Sequence, residues 1–148
     1  MNITHFKSFD QITNNQIEVL EKISFSHLNR NKPIVFNLKS INTDGNGMSV
    51  SSISHNEEEL KFSHQNDSLF IDLDQTIFQG EIDSVKVSYY GNPVSSGFGS
   101  YEVSEHNGSP IMWTLSEPYG AKGWWPCKQS LDDKIDSIDV HITTPILD

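Results

Sequence analysis

One stretch of the chain concentrates residues able to act on a ligand: WTLSEPYGAKGWWPC, residues 113–127. It holds all three tryptophans and the only cysteine. Glu117 stands between Ser116 and Pro118, and glycines follow at 120 and 123. Proline fixes its own φ and pushes the residue before it toward extended backbone. Glycine then permits a sharp change of direction. A carboxylate held this way at a strand end suits recognition of an ammonium group, because fixed geometry and partial desolvation make the contact discriminating. On the residues alone, an equal reading is a turn acid that accepts backbone N–H groups of its own turn. Cys127, flanked by aromatics and a proline, reads as a small buried apolar residue rather than a nucleophile.

The remaining candidates are weaker. Six histidines lie at 5, 27, 55, 64, 106 and 141. None has the i, i+4 helical spacing of a zinc site, and H-E-x-x-H does not occur. Ser104 and His106 stand near acids, but no G-x-S-x-G elbow accompanies them. The run Asp132-Asp133-Lys134-Ile135-Asp136 lacks the D-x-D-x-D-G ladder of a calcium loop and reads as a solvated loop. Glu57-Glu58-Glu59 beside Asn56 reads as a solvated hairpin tip. Ten basic residues, with Arg30 the only arginine, face twenty acidic ones for a net charge of −10. Phosphate backbones need clustered Lys and Arg, so nucleic acid and anionic membrane are rejected as partners. A single cysteine excludes an internal disulfide and a cysteine-built zinc site.

The elements that must position Glu117 are strands. Apolar residues alternate with period two. Ile17, Val19, Ile23 and Phe25 share a phase, as do Ile34, Phe36 and Leu38. Further strands are read at 48–50 with Ile53, at 60–62, and at 69–73 with Phe70 out of phase. Others lie at 82–89, at 111–115 and at 135–142. NNQIEVLEK has some helical propensity, but Ile23 and Phe25 continue the two-residue phase, so it reads as strand. Turn chemistry separates the runs, and Asn66-Asp67 between KFSH and SLFID predicts a tight hairpin. Residues 91–109 are rich in Gly and Ser and read as a long excursion carrying one short strand at 98–103. The LDDKID segment predicts one helical turn. The whole is an all-β sandwich of mostly antiparallel strands, one domain over residues 1–148. Mean hydropathy of −0.45 fits a soluble chain. MNITHFKSFD lacks a basic-then-apolar leader pattern, which implies a cytosolic chain or one whose leader lies elsewhere.

Residues 113–145, WTLSEPYGAKGWWPCKQSLDDKIDSIDVHITTP, resemble the end of the N-terminal domain of the aminopeptidase N family of zinc metallopeptidases, which includes leukotriene A4 hydrolase. Members carry a strand ending in T-Q-x-E or T-Q-x-Q, then an Ala-Arg pair, an aromatic-Pro-Cys, and a strand running out to a proline. Glu117, Ala121-Lys122, Pro126-Cys127 and Pro145 occupy these places. Upstream, FQGEIDSVKVSYYGNPVSSGFGSYE is similar to the family's Gly, strand, Tyr-x-Gly and Gly-Phe-rich excursion. Leu115 stands where many members have Gln, Lys122 replaces Arg, and Lys128-Gln129-Ser130 replaces Phe-Asp-Glu-Pro. The S-E-P-Y-G-A-K and W-W-P-C-K variants resemble a Bacteroidetes-type branch.

The resemblance implies a saddle-like β-sandwich that packs on a thermolysin-like catalytic domain of the same polypeptide. It implies that Glu117, with Tyr119 beside it, lines the substrate cleft and anchors the free α-amine of a peptide N-terminus. Zinc, its H-E-x-x-H ligands and the G-x-M-E-N loop would lie in that other domain. None of these motifs occurs in this chain, so no catalytic residue, metal ligand or cofactor is expected here, and the chain reads as a fragment that is silent by itself. It also implies an apolar surface near Tyr119 and the two adjacent tryptophans, left for the catalytic neighbour. The alternative is a freestanding β-sandwich binding or adhesion module, in which Tyr119, Trp124 and Trp125 stack on sugar or peptide ligands.

Overall fold

The computed structural model describes residues 4–13, 16–26, 33–73, 78, 81–96, 99–130 and 137–142. Among these residues eleven strands run in chain order: β1 Thr4–Thr13, β2 Gln16–Ser26, β3 Ile34–Asn37, β4 Gly47–His55, β5 Glu58–Glu59, β6 Phe62–Gln65, β7 Ser68–Ile71, β8 Ile82–Asn92, β9 Glu102–His106, β10 Ser109–Trp113 and β11 Ser137–Ile142. They form a six-stranded sheet in the order β11-β1-β2-β8-β4-β5, a three-stranded sheet β3-β7-β6, and a separate β9–β10 hairpin. Every pairing is antiparallel except β1 with β11, where Thr4 faces Ser137 and Phe9 faces Ile142. The chain is all-β with mostly antiparallel sheets, as the alternation predicts.

Period two places one face of each strand inward. Ile17, Val19, Ile23 and Phe25 of β2 are buried with Val85, Val87 and Tyr89 of β8 and with Met48 and Ile53 of β4. Ile34 and Phe36 of β3 and Leu69 and Ile71 of β7 come from the smaller sheet to meet them in one cluster, which also takes in Leu38, Tyr101, Trp124, Trp125 and Cys127. Phe70 falls out of phase and is half-buried. The in-phase position between Val19 and Ile23 is an acid. Glu21 is fully buried, and the Tyr89 hydroxyl donates to it at 3.0 Å. Burial first, and the Glu21 charge second, push the Tyr89 hydroxyl well above its ordinary pKa.

Three hairpins close through residues in the left-handed region, which suits the twist of paired strands. These are Asn56-Glu57, Asn66-Asp67 and Asn107-Gly108. Asn66 has φ 51° and Asp67 φ 58°, so the hairpin expected there forms between β6 and β7. Glu58 and Glu59 stand exposed just past the first turn. The short strand expected at 98–103 lies instead at Glu102–His106, and the strand expected at 111–115 begins and ends earlier, at Ser109–Trp113. The Asn107-Gly108 turn explains both shifts. It fixes the register by pairing His106 with Ser109, so the strands are counted outward from the turn rather than from the apolar residues. Likewise the strand expected at 60–62 starts at Phe62. The turn at LDDKID and the acidic run 132–136 lie outside the described residues.

Candidate functional site

The site grows from the exit of β10. Leu115 N donates to Gly99 O at 3.2 Å, so the chain stays tied to the excursion for two residues beyond the strand. It then turns. Gly120 N donates to Ser116 O at 2.9 Å, enclosing Glu117, Pro118 and Tyr119. The Glu117–Pro118 peptide is cis. A short 3-10 turn, Ala121–Gly123, follows, and the indole N–H of Trp124 donates to Ser116 Oγ at 3.0 Å. Both ends of the turn are thereby held to one serine.

The glycines here answer to close approach rather than to turning. A Cβ on Gly120 would lie 2.4 Å from Ser100 Cβ, and one on Gly123 would lie 2.5 Å from Val94 O. Ser100 is itself fully buried, with Ser96 N donating to its Oγ at 3.0 Å. The excursion between β8 and β9 therefore forms the floor on which the turn lies. On the other side, the segment is stitched to the smaller sheet. Asn37 N donates to Cys127 O at 2.7 Å and Cys127 N to Asn37 O at 3.0 Å, while Lys39 N donates to Lys122 O at 2.7 Å.

Glu117 stands out at the crest of this scaffold. Its side chain is exposed, and among the described residues it accepts no hydrogen bond and forms no ion pair. Gly120 N goes to the Ser116 carbonyl and not to the Glu117 carboxylate. Tyr119, two residues on, is 51% exposed. The pair offers one carboxylate and one aromatic ring on a rigid return.

The neighbouring aromatics have a different fate. Trp124 and Trp125 are only 9% and 8% exposed, so neither is free to stack on a ligand. Tyr101, Trp124 and Trp125 form a buried aromatic run, with ring centroids 6.2 and 6.0 Å apart. The stacking-module alternative is left with Tyr119 alone. Of the apolar surface expected near Tyr119 and the two tryptophans, Tyr119 is exposed and the tryptophans contribute nothing. Gly120 seats closely on Ser100 and Gly123 on the Val94 carbonyl, and the indoles that follow reach the core. The exposed tryptophan is Trp113, which sequence reasoning did not single out. Cys127 is buried, as expected.

The other titratable groups serve structure. His55 is 8% exposed, and its Nε2 lies 2.8 Å from Asp83 Oδ1. His64 Nε2 lies 2.9 Å from Leu38 O. His106 and Ser104 are exposed on β9, and His106 meets Asn107 Nδ2 at 3.2 Å. Asp67 accepts from Lys39 Nζ at 2.8 Å and from Ser40 N at 3.0 Å. Partial burial pushes the Asp67 carboxyl up, but those bonds and the charges of Lys39 and Lys122 outweigh it and hold it below its ordinary value. No group of three or more His, Cys, Asp or Glu side chains is placed to hold a metal ion among the described residues.

Comparison with known proteins adds the architecture. No protein-family model and no curated protein sequence matches the chain. Solved structures do. An M1 zinc metallopeptidase from Deinococcus radiodurans is 18% identical with a TM-score of 0.71, over 98% of this chain and 32% of its own. A structure of that enzyme holding a Tyr-Ser-Ala substrate is 17% identical with a TM-score of 0.72, over 97% of this chain and 32% of its own. Leukotriene A4 hydrolase from Saccharomyces cerevisiae is 12% identical with a TM-score of 0.64, over 99% of this chain and 23% of its own. At these identities the likeness establishes the fold, that of the N-terminal domain of such enzymes. The chain spans about a third or less of the length of the structures it matches.

Proposed function

We propose that this chain is the N-terminal domain of a zinc-dependent aminopeptidase, of the Bacteroidetes-type variant its motifs resemble. Its part is to form one wall of the substrate cleft and to anchor the free α-amine of a peptide. The catalytic domain that holds the zinc and hydrolyses the first peptide bond lies elsewhere in the polypeptide. The observation that carries the reading is Glu117: an exposed carboxylate, free of bonds to the described residues, on a turn fixed at both ends to Ser116. A solvated turn acid needs no such support. A carboxylate that must meet an ammonium at one distance does, because a charge-assisted bond gains most when its partner is already oriented. Tyr119 adds a ring beside the cation, where its π-face attracts positive charge. The shared fold, and its place as a minor part of longer zinc metallopeptidases, support the same reading.

The test uses the complete polypeptide. Glu117→Ala should raise KM for unblocked peptides about 10- to 100-fold, the worth of one charge-assisted hydrogen bond. Bound zinc should stay unchanged, and N-acetylated substrates should remain poor for both proteins. An unchanged KM would make Glu117 an ordinary turn acid. The 148-residue chain by itself should release no amino acid from peptide amides.

A further inference from the structure

We infer that Met112 is a site of reversible oxidation, and that its sulfoxide loosens the turn presenting Glu117; the effect on substrate rests on the function proposed above. Met112 lies on β10, directly opposite Val103 of β9. The β9–β10 hairpin is a sheet of its own, with no ladder to either larger sheet. Met112 is the hairpin residue that packs against the core cluster. A leucine would fill such a place as well, but it could accept no hydrogen bond. The Tyr101 hydroxyl donates to the Met112 sulfur at 2.9 Å.

Exposure singles out this sulfur. Met112 is half-buried, and Val103 beside it on the same face is 40% exposed. The other described sulfurs are sealed, with Met48 0% and Cys127 3% exposed. Among the described residues, hydrogen peroxide therefore meets Met112 first. A thioether sulfur has a pair of acceptor sites. The Tyr101 hydroxyl takes one and leaves the other to the oxidant. That lone pair attacks a peroxide oxygen. The S–O bond forms as the O–O bond breaks, and the departing hydroxide takes the remaining proton and leaves as water. Sulfur gives up an electron pair, and the peroxide is reduced. Thiol-dependent reductases return the sulfide.

The product is bulkier, and polar where the sulfide was apolar. Its oxygen is a stronger acceptor than the sulfur. Tyr101 is 4% exposed, so its hydroxyl must follow that oxygen or lose its partner. Tyr101 does not move alone. Its ring centroid lies 6.2 Å from that of Trp124, and the Trp124 N–H donates to Ser116 Oγ at 3.0 Å. Ser116 O in turn accepts from Gly120 N, closing the turn around Glu117. A contiguous run of packed and bonded groups can carry a local change to a distant one. This run reaches from an oxidisable sulfur to the turn that holds the exposed carboxylate.

Every arm of the test uses the complete polypeptide, treated with hydrogen peroxide. Peptide mass analysis reads the site: Met112 should oxidise at least about tenfold faster than Met48. Equal rates would overturn it. Hydrogen exchange at the Gly120 amide reads the relay. It should quicken about threefold or more on oxidation, and slow again after a methionine sulfoxide reductase. Unchanged exchange in the oxidised protein would overturn the relay. KM for unblocked peptides should rise about three- to tenfold with little change in kcat, and Met112→Leu should abolish that rise. Met112→Ile serves if Met112→Leu folds poorly. A rise that persists in both variants would take the regulation away from this sulfur. If Glu117→Ala leaves KM unchanged, the proposed function fails whatever Met112 does. If Glu117→Ala raises KM and oxidation does not, this inference alone fails.

Discussion

The six-stranded sheet and the return from Trp113 to Cys127 are held together by opposite means. The sheet is repetitive. From Ile17 to Phe25 and from Val85 to Tyr89 its inward residues stand at every second position and, Glu21 apart, are apolar, and its ladder is satisfied strand against strand. The return has almost no regular structure. It is fixed by single contacts, each between a named atom and another: Ser116 with Trp124, Gly120 with Ser100, Lys122 with Lys39, Cys127 with Asn37. Losing one apolar side chain from the sheet removes stability and leaves the design intact. Losing one contact from the return removes less stability but moves Glu117. The proposed function is thus attached to the region where geometry, not burial, is decisive.

Substitutions can break this contrast, and they are ordered here by expected size. Phe36→Ala, at a fully buried position where the two sheets meet, should cost about 3–5 kcal/mol in urea unfolding. A cost below about 1 kcal/mol would mean the core is not shared between the sheets. Gly120→Ala should cost about 1–3 kcal/mol, because its Cβ would fall 2.4 Å from Ser100 Cβ and the turn must lift. Ser100→Gly added to it should restore part of the loss and Ser100→Ala should not, since the collision is with Cβ. If neither matters, the return is not held by close approach.

A smaller effect is read by pH. Tyr89 keeps its proton in the fold above pH 10, where the unfolded chain gives its tyrosine protons up. Stability therefore falls as pH rises past about 10. In Tyr89→Phe that alkaline loss should shrink, while stability at pH 7 drops by about 1–3 kcal/mol because Glu21 loses a donor. Asp67 acts at the other end with the opposite sign. Its carboxyl is held below the ordinary 3.8, so its contribution is full above that value and vanishes as pH falls through the lower one. Asp67→Asn should flatten the acid limb of the stability curve and leave the alkaline limb unchanged.

The same contrast explains what could be read from the sequence. The inward phases of β2, β3, β7 and β8 were legible because one side chain in two must be apolar wherever a sheet has a single covered face. The position of Glu117 after a strand and before a proline was legible for the same local reason. The hairpin bounds were not, because the Asn107-Gly108 turn sets them and the apolar residues flanking it permit more than one register. The contacts that bury Trp124 and Trp125 were not legible either. They join Trp124 to Tyr101 and to Ser116, and follow no period. Glu21 was in plain view, in phase between Val19 and Ile23. Its signal was an acid on the wrong face, which alternation by itself treats as noise.

That acid carries a consequence for how the strands find one another. Sliding β2 along β8 by two residues keeps every inward side chain inward, so hydrophobicity does not distinguish the slipped sheet from the correct one. Glu21 does. In the observed alignment its carboxylate, sealed from water, lies 3.0 Å from the Tyr89 hydroxyl, and a slide that sets Glu21 opposite Val85 carries it away. Moved off that hydroxyl, it is a buried charge short of a donor, at a cost of about 1–3 kcal/mol. The apolar residues decide which side of the ribbon is inside. One polar pair decides which rung meets which.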